Sequence, residues 1–262
     1  MNFEKIYRDV LNEGRIPSIF RKATPEEVAE RKVQYQKIKV DEWVERFKKR
    51  LDVRLVDGKW DASDLVRIHN ISIASIPLQF GKIDDDFIIG YQKKLTSLQG
   101  SPNFVRGSFD CSATAIESLD GSPDHVGDVF DCSNCQKLTS LVGGPTTVRN
   151  FDCCFCNGIT TLHGVPREVY GFACMNCNKL TSLEGSPEIV NHFFKCSFCE
   201  NLTSLKGAPK VIHGNFHCED GKFTESEIRE HVDVRGKIFS GRSGFQMSLR
   251  PFHNRIDVFS TR

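Results

Sequence analysis

A four-residue phrase, Leu-Thr-Ser-Leu or a close variant, recurs along much of this 262-residue chain at nearly constant spacing. Successive copies begin 21, 22, 21, 21 and 22 residues apart, at Leu95, Ile116, Leu138, Ile159, Leu180 and Leu202. A fixed period of roughly 20–29 residues is typical of a solenoid, in which each unit forms one coil and packs only against its neighbours. The sequence therefore predicts a stack of coils with a long exposed surface that is suited to binding.

Each repeat unit can be written F-x-C-x-x-C-x-x-L-T-S-L-x-G-x-P-x-x-V, and its clearest copies start at Phe130, Phe151, Phe172 and Phe194. The F-x-C alternation predicts a short strand with Phe and the first Cys inside and the middle residue outside. The second Cys is placed to hydrogen-bond the backbone of the next coil. The Gly-x-Pro that follows predicts an extended, irregular return limb rather than a helix.

This unit resembles the leucine-rich repeats of the short bacterial class, which includes secreted effectors with an LTSLP-type phrase. It is more similar still to leucine-rich repeat proteins of tailed bacteriophages, which use LTSLEG-x-P. The resemblance covers about residues 53–239. It implies a leucine-rich repeat solenoid of about seven coils, with short parallel strands on a concave face and mostly irregular return limbs. Such a fold specifies no particular function.

The chain is predicted to have five parts. They are a helical extension (1–52), an N-terminal capping repeat (53–86), the 21–22-residue repeats (87–221), a C-terminal cap (222–239) and a basic, aromatic tail (240–262). Thr24-Pro25-Glu26-Glu27 predicts a helix start, and the helix is expected to run to about Arg50 with a possible break near Val40. A shorter helix is expected over Asn2–Leu11. Thr224 is predicted to cap a helix over Glu225–His231.

Composition narrows the setting of the protein. The sequence has no apolar run near the roughly 18 residues needed to span a membrane, and its first residues lack a signal-peptide pattern. Its 11 cysteines then indicate free thiols in a reducing compartment, so we expect a cytoplasmic protein. Residues 53–236 hold 17 Lys and Arg against 23 Asp and Glu, hence a net charge of −6, while both ends of the chain are basic. An acidic solenoid disfavours nucleic-acid binding.

The residues that flank each F-x-C are the candidate binding site, because they are expected to face outward on the concave surface. The candidates are Asp110, Val129, Asp131, Asn150, Asp152, Cys154, Ala173, Met175, Phe193, Lys195 and His217. Ala173, Met175 and Phe193 are expected to form an exposed apolar patch beside a stripe of aspartates, a composition typical of binding faces. Cys154 is expected to face outward and to be open to oxidation. The alternative is an ordinary solvated strand surface.

Eight cysteines form four C-x-x-C pairs, a spacing also found in zinc sites. They are Cys132, Cys135, Cys153, Cys156, Cys174, Cys177, Cys196 and Cys199. Both cysteines of a pair occupy positions that the repeat already explains, and coils about 4.8 Å apart continue past any one tetrahedral site. We therefore expect structural thiols, with zinc as a less favoured alternative, and no cofactor.

The sequence thus predicts a non-enzymatic protein–protein interaction module. By the resemblance to phage proteins, we expect it to recognise a host or defence protein through its concave face in the host cytoplasm. One alternative is a virion structural or accessory protein that docks through its helical and basic ends, and another is a nucleic-acid-binding or zinc-binding protein. No catalytic motif is found, and the oligomeric state is not predicted.

Overall fold

The structure of the protein, a computed structural model, describes residues 24–69 and 71–241. The chain divides into two compact units between Phe47 and Lys48. The predicted helix over Asn2–Leu11 and most of the predicted tail lie outside the described residues.

The first unit is built on helix α1 (Pro25–Lys48). Thr24 Oγ1 accepts a hydrogen bond from the Glu27 amide at 3.2 Å, and the Glu27 carboxylate accepts one from the Thr24 amide at 2.7 Å. This capping box satisfies two amides that the first helical turn leaves unpaired, as the sequence predicts. The helix continues through Val40 to Lys48, so the predicted break is absent.

The second unit is a parallel β-solenoid of about eight turns. Its strands are β1 (Val53–Val56), β2 (Lys59–Ala62), β3 (Val66–Arg67), β4 (Phe80–Ile83), β5 (Phe87–Ile88), β6 (Phe104–Val105), β7 (Phe109–Asp110), β8 (His125–Asp131), β9 (Thr147–Asp152), β10 (Glu168–Ala173), β11 (Ile189–Lys195), β12 (Val211–Ile212), β13 (Asn215–Glu219), β14 (Asp233–Val234) and β15 (Ile238–Gly241). Strands β1 and β2 form an antiparallel hairpin, and the remaining ladders between described strands are parallel.

The central strands are longer than the predicted F-x-C. In β8 to β11 each strand begins five or six residues before the position between Phe and Cys and ends at that position. The upstream Val of each unit therefore belongs to the strand, and Val126, Val148, Val169 and Val190 are buried. Nearer the ends of the stack the ladder splits in two, because the Val and Phe segments form separate short strands such as β12 and β13.

Phenylalanine forms the centre of the core. Eight rings have essentially no exposed surface: Phe80, Phe87, Phe109, Phe130, Phe151, Phe172, Phe194 and Phe216. Adjacent ring centroids are 4.9–5.9 Å apart. Each buried ring contributes roughly 1.5–3 kcal/mol relative to an exposed one, so the ladder supplies much of the cohesion between coils.

Two turns per coil require left-handed backbone. Between the two cysteines, Asn134, Phe155, Asn176 and Phe198 have φ between 56° and 61°. After each Leu-Thr-Ser-Leu phrase a glycine has positive φ, and Gly164 reaches 108°. A Cβ at Gly164 would lie 2.3 Å from the Leu141 carbonyl oxygen of the preceding coil, so only glycine fits there.

Helix α2 (Glu225–His231) follows the last repeat. Thr224 and Glu227 form a second capping box, as the sequence predicts, and Arg229 pairs with Glu225 at 2.8 Å. Ile228 is fully buried. Neither helix of the described chain has the length and apolar character that a membrane crossing requires.

Candidate binding face

Strand register brings the predicted site residues together in two adjacent columns on the outward side of the sheet, which we call the outer strand face. One column runs through Val129, Asn150, Gly171, Phe193 and Asn215. The other runs through Asp110, Asp131, Asp152, Ala173, Lys195, His217 and Phe239. Cys154 and Met175 follow the second column by two residues in their coils. Eleven residues that are spread over the sequence thus share one surface.

Asp110, Asp131 and Asp152, the aspartate column, have a structural role. One carboxylate oxygen of each accepts a hydrogen bond from the amide two residues ahead, at 2.8, 2.9 and 2.8 Å respectively. These are Asx turns, which fix the bend that leads into the left-handed residue between the cysteines. The three aspartates therefore have a structural role in the turn.

Burial affects the charge of this column. Asp152 is 4% exposed, and its burial together with the neighbouring Asp131 carboxylate raises the pKa of Asp152 to about 7. Burial also raises the pKa of Asp131. Two close carboxylates in a poorly solvated setting resist joint ionisation. The column consequently holds less negative charge at neutral pH than its three aspartates suggest.

The expected exposure of Cys154, Ala173 and Phe193 is wrong. They are 2%, 0% and 4% exposed. The Phe193 ring lies across Gly171, where an added Cβ would be 2.4 Å from Phe193 Cζ. The missing side chain at Gly171 thus lets the ring lie flat on the sheet and become buried, a contact that strand alternation cannot reveal.

Cys154 differs from the prediction in chemistry as well as burial. Its sulfur accepts a hydrogen bond from the Met175 amide at 3.3 Å. Burial and the neighbouring Asp152 raise the pKa of the Cys154 thiol well above its usual range. Since the thiolate is the reactive form, this thiol is protected from the oxidation that an outward position suggested.

The other predicted residues fall into two groups. Asp110 and Asn150 are buried, like Asp152, and are not freely presented to solvent. Val129, Asp131, Met175, Lys195 and His217 are half-buried. The accessible part of the face therefore consists of five of the eleven predicted residues and of neighbours that the prediction missed.

Three missed residues form a row of side-chain contacts that ends at Phe193. The Arg149 guanidinium carbon is 4.6 Å from the Tyr170 ring centroid, and the Tyr170 and His192 rings stack at 4.9 Å. His192 meets Phe193 edge-on at 5.5 Å, and Lys195 Nζ lies 4.8 Å from the Phe193 ring centroid. We call these five residues the aromatic cluster. The sequence signal for Arg149 and Tyr170 was the position just after the repeat Val, seen in V-R-N-F and V-Y-G-F, which belongs to the longer strand. His192 lies one position later, two residues after Val190.

The last coil carries a polar group at the same face. His217 stacks on Phe239 at 4.4 Å and lies 3.3 Å from a Glu219 carboxylate oxygen. Burial alone would raise the pKa of Glu219, but hydrogen bonds with His217 and Ser197 lower it. Glu219 is consequently held as a carboxylate. Burial lowers the pKa of nearby Lys195, and the neighbouring Cys154, Asp152 and Glu219 partly oppose this shift.

The cysteines form a ladder of buried thiols. Each second Cys donates to the carbonyl of a first Cys in the preceding coil, as from Cys156 to Cys132 at 3.1 Å and from Cys177 to Cys153 at 3.2 Å. The predicted backbone contact exists, but it points to the preceding coil rather than the next. All eleven cysteines are buried, and none of them forms a disulfide. Burial raises the pKa of Cys135 to about 12.

In the described chain, none of the eight C-x-x-C cysteines belongs to a group of side chains that could hold a metal ion. Across residues 24–69 and 71–241, no three His, Cys, Asp or Glu side chains are arranged to hold an ion. The sulfur contacts that are present instead satisfy backbone carbonyls.

The fold and this face define the protein's class as a parallel β-solenoid repeat protein. In comparisons with known proteins, no family model, curated protein or solved structure matches the chain.

Proposed function

We propose that this chain is a leucine-rich repeat protein of the kind that tailed bacteriophages encode. It recognises a protein of the bacterial host, or of the host's defences, through the outer strand face in the host cytoplasm. Recognition requires no chemical step by the protein itself. The LTSL-x-G-x-P units support the family, and the parallel stack of coils is the architecture that such units build.

The observation that carries the proposal is the aromatic cluster. Tyr170 is 38% exposed in the middle of the sheet, where the pairing of β10 with β11 shifts register between Val169 and Gly171. Within the described chain, the Arg149 guanidinium has no hydrogen bond or ion pair, although it is held against the Tyr170 ring. Tyrosine and arginine, together with tryptophan, are enriched among the residues that dominate the binding energy of protein interfaces. Because Arg149 lies over Tyr170 and Tyr170 stacks on His192, these side chains lose less freedom on binding than unrestrained ones do.

Affinity capture from bacterial lysate tests this function. The wild-type protein is compared with the double variant Arg149→Ala/Tyr170→Ala, which changes only exposed parts of the cluster. The matched control is Lys137→Ala/Val142→Ala, a cationic and an apolar residue that are exposed elsewhere on the coils. We expect a bacterial protein that the wild type and control retain and the cluster variant loses.

The result has a clear contrary outcome. If a captured protein still binds the cluster variant but no longer binds the control variant, recognition occurs on another face. Circular dichroism and thermal unfolding of all three proteins verify that each remains folded, since only surface side chains are removed.

The virion alternative has one observation in its favour. Helix α1 exposes two aliphatic side chains, with Val33 69% and Ile38 44% exposed. Exposed apolar residues on a helix suit docking to a larger assembly. Mass spectrometry of purified phage particles decides this candidate: a stoichiometric signal for the chain supports a virion role, and its absence favours the host-directed function.

A further inference from the structure

We propose that Arg149 and its stacked neighbours form a carboxylate-binding site that anchors an acidic side chain of a protein partner. The inference rests on the proposed function and specifies its chemistry. The site comprises Arg149, Tyr170 and His192, with Asn150 and Phe193 as its floor.

Arg149 lies over the face of an aromatic ring. A guanidinium that stacks on an aromatic ring keeps its N–H groups at its edge, in the fork that matches a carboxylate. The Arg149 guanidinium carbon lies over the Tyr170 ring, 4.6 Å from its centroid, within the range of such a cation–π contact. In contrast, Arg167 and Lys210 elsewhere on the surface contact the Glu188 carboxylate at 3.2 and 2.6 Å. Among the described residues Arg149 lacks such a partner, so its donors are available.

Buried polar atoms beneath the stack are the second, independent observation. Asn150 is 6% exposed, and its amide oxygen has no hydrogen-bond partner among the described residues; the same holds for His192 Nδ1, also a buried atom. The Asn150 oxygen lies 2.7 Å from the position of a Cβ on Gly171, where the Phe193 ring also converges. Native proteins rarely leave such atoms unsatisfied. The Asn150 oxygen is an acceptor covered by its neighbours, so it pairs with a ligand only if those side chains move and the ligand brings an N–H group beside its carboxylate, as a peptide backbone does.

The surrounding charges select an isolated carboxylate over a nucleic acid. Asp128 accepts from Asn150 Nδ2 at 3.4 Å, and Glu168 accepts from Asn191 Nδ2 at 2.8 Å, so acidic groups stand close to the cluster. Asp152 lies next to it in the second column. A chain of phosphates would meet these groups and the net −6 of the solenoid. One acidic side chain on a neutral, extended segment brings a single negative charge to Arg149 and meets less of that repulsion than a chain of phosphates does.

The test uses defined peptides and the full-length protein. The probes are capped ten-residue glycine–serine peptides that carry two glutamates, two glutamines or two lysines, together with a ten-nucleotide oligothymidylate. Nuclear magnetic resonance follows the Arg149 Nε–H signal and the backbone amides of β9 and β10 at millimolar probe concentrations. We expect only the glutamate peptide to shift these signals, and Arg149→Gln to weaken its binding about tenfold, in line with one lost charge-assisted hydrogen-bonded pair.

Further variants separate charge from geometry. Arg149→Lys keeps the charge without the planar fork, so we expect affinity between those of the wild type and Arg149→Gln. Arg167→Gln, the matched change at an ion-paired arginine, should leave binding unchanged. No shift with any peptide, equal shifts with glutamate and glutamine peptides, or preferred binding of oligothymidylate would each overturn the proposal. If the peptides fail while lysate capture still depends on the cluster, recognition stands and only the carboxylate chemistry falls.

Discussion

At the scale of single residues, the Asp152 carboxylate stabilises a turn through a hydrogen bond, but its negative charge is unfavourable in a buried position. Its carboxylate accepts from the Cys154 amide at 2.8 Å, a bond that an asparagine oxygen makes equally well. Burial and Asp131 raise the pKa of Asp152 to about 7, above the roughly 3.9 of an unfolded aspartate. Between these two values the folded state binds more protons than the unfolded state, so the contribution of Asp152 to stability falls as pH rises from about 4 to 7.

The variant Asp152→Asn should therefore be more stable than the wild type above neutral pH. We expect the free energy of unfolding at pH 8 to rise by roughly 1–4 kcal/mol, and the fall in stability from about pH 4 to 7 to flatten. Urea unfolding from pH 5 to 8 measures both effects. The exposed Asp124, changed to Asn, serves as the control and should change little. Equal stability of Asp152→Asn and wild type at pH 8 would show that the carboxylate pays no penalty there.

The candidate site was only partly predictable at this scale. Alternation along F-x-C correctly placed Asp152, Lys195 and His217 on the outward side, because side chains on a strand alternate regardless of its surroundings. It could not indicate burial, since Phe193 is covered only because Gly171 in the neighbouring coil lacks a side chain. Contacts between coils depend on register, which one unit read alone does not contain.

At the scale of elements, the glycine turn limits how closely adjacent coils approach. At Gly164 a methyl group would lie 2.3 Å from the Leu141 carbonyl oxygen, and φ is 108°. We expect Gly164→Ala to lower the free energy of unfolding by more than 2 kcal/mol, because left-handed strain of about 1–2 kcal/mol adds to a backbone clash. Chemical denaturation measures the loss.

A substitution at Gly58 measures the cost of left-handed backbone strain without a steric clash. It lies in the β1–β2 turn with φ of 76°, and a Cβ there would meet nothing within 4 Å. Gly58→Ala should therefore cost only the strain, about 1 kcal/mol. Similar losses in both variants would mean that the coils shift apart to accept a methyl group at Gly164.

The strands show where reading the sequence by element stopped short. The period, the Phe ladder and the glycine breaks were enough to predict a stack of parallel coils, and both capping boxes were visible in Thr24–Glu27 and Thr224–Glu227. The strands' upstream half was missed because register shifts between Val126 and Val129 in β8 and between Val169 and Gly171 in β10 interrupt strict alternation. Arg149, Tyr170 and His192 lie in that half, so the aromatic cluster was hidden with it.

At the scale of the whole molecule, stability in a solenoid comes from contacts between neighbouring coils. Each coil is tied to the next by backbone bonds such as Cys153 N to Ala173 O at 2.9 Å and by the stacked Phe ladder. Among the described strands each parallel ladder joins neighbouring coils, so the first coil is not paired directly with the last. A destabilising substitution at one end is therefore expected to promote local unfolding of nearby coils before it affects the entire sheet.

Two buried isoleucines near opposite ends test this directionality. Ile228 in α2 is fully buried and Ile73 is 3% exposed, so alanine at either position should cost about 2–5 kcal/mol locally. Hydrogen exchange then measures opening coil by coil. In Ile228→Ala we expect faster exchange at Phe216, whose amide donates to Lys237 O at 2.9 Å, while Ile68, bonded to Ile88 O at 2.9 Å, stays protected. Ile73→Ala should give the reverse pattern, and the Cys153 amide should remain slow in both. Uniform acceleration in either variant would show that the solenoid opens as one cooperative unit and that α2 does not act as a local C-terminal cap.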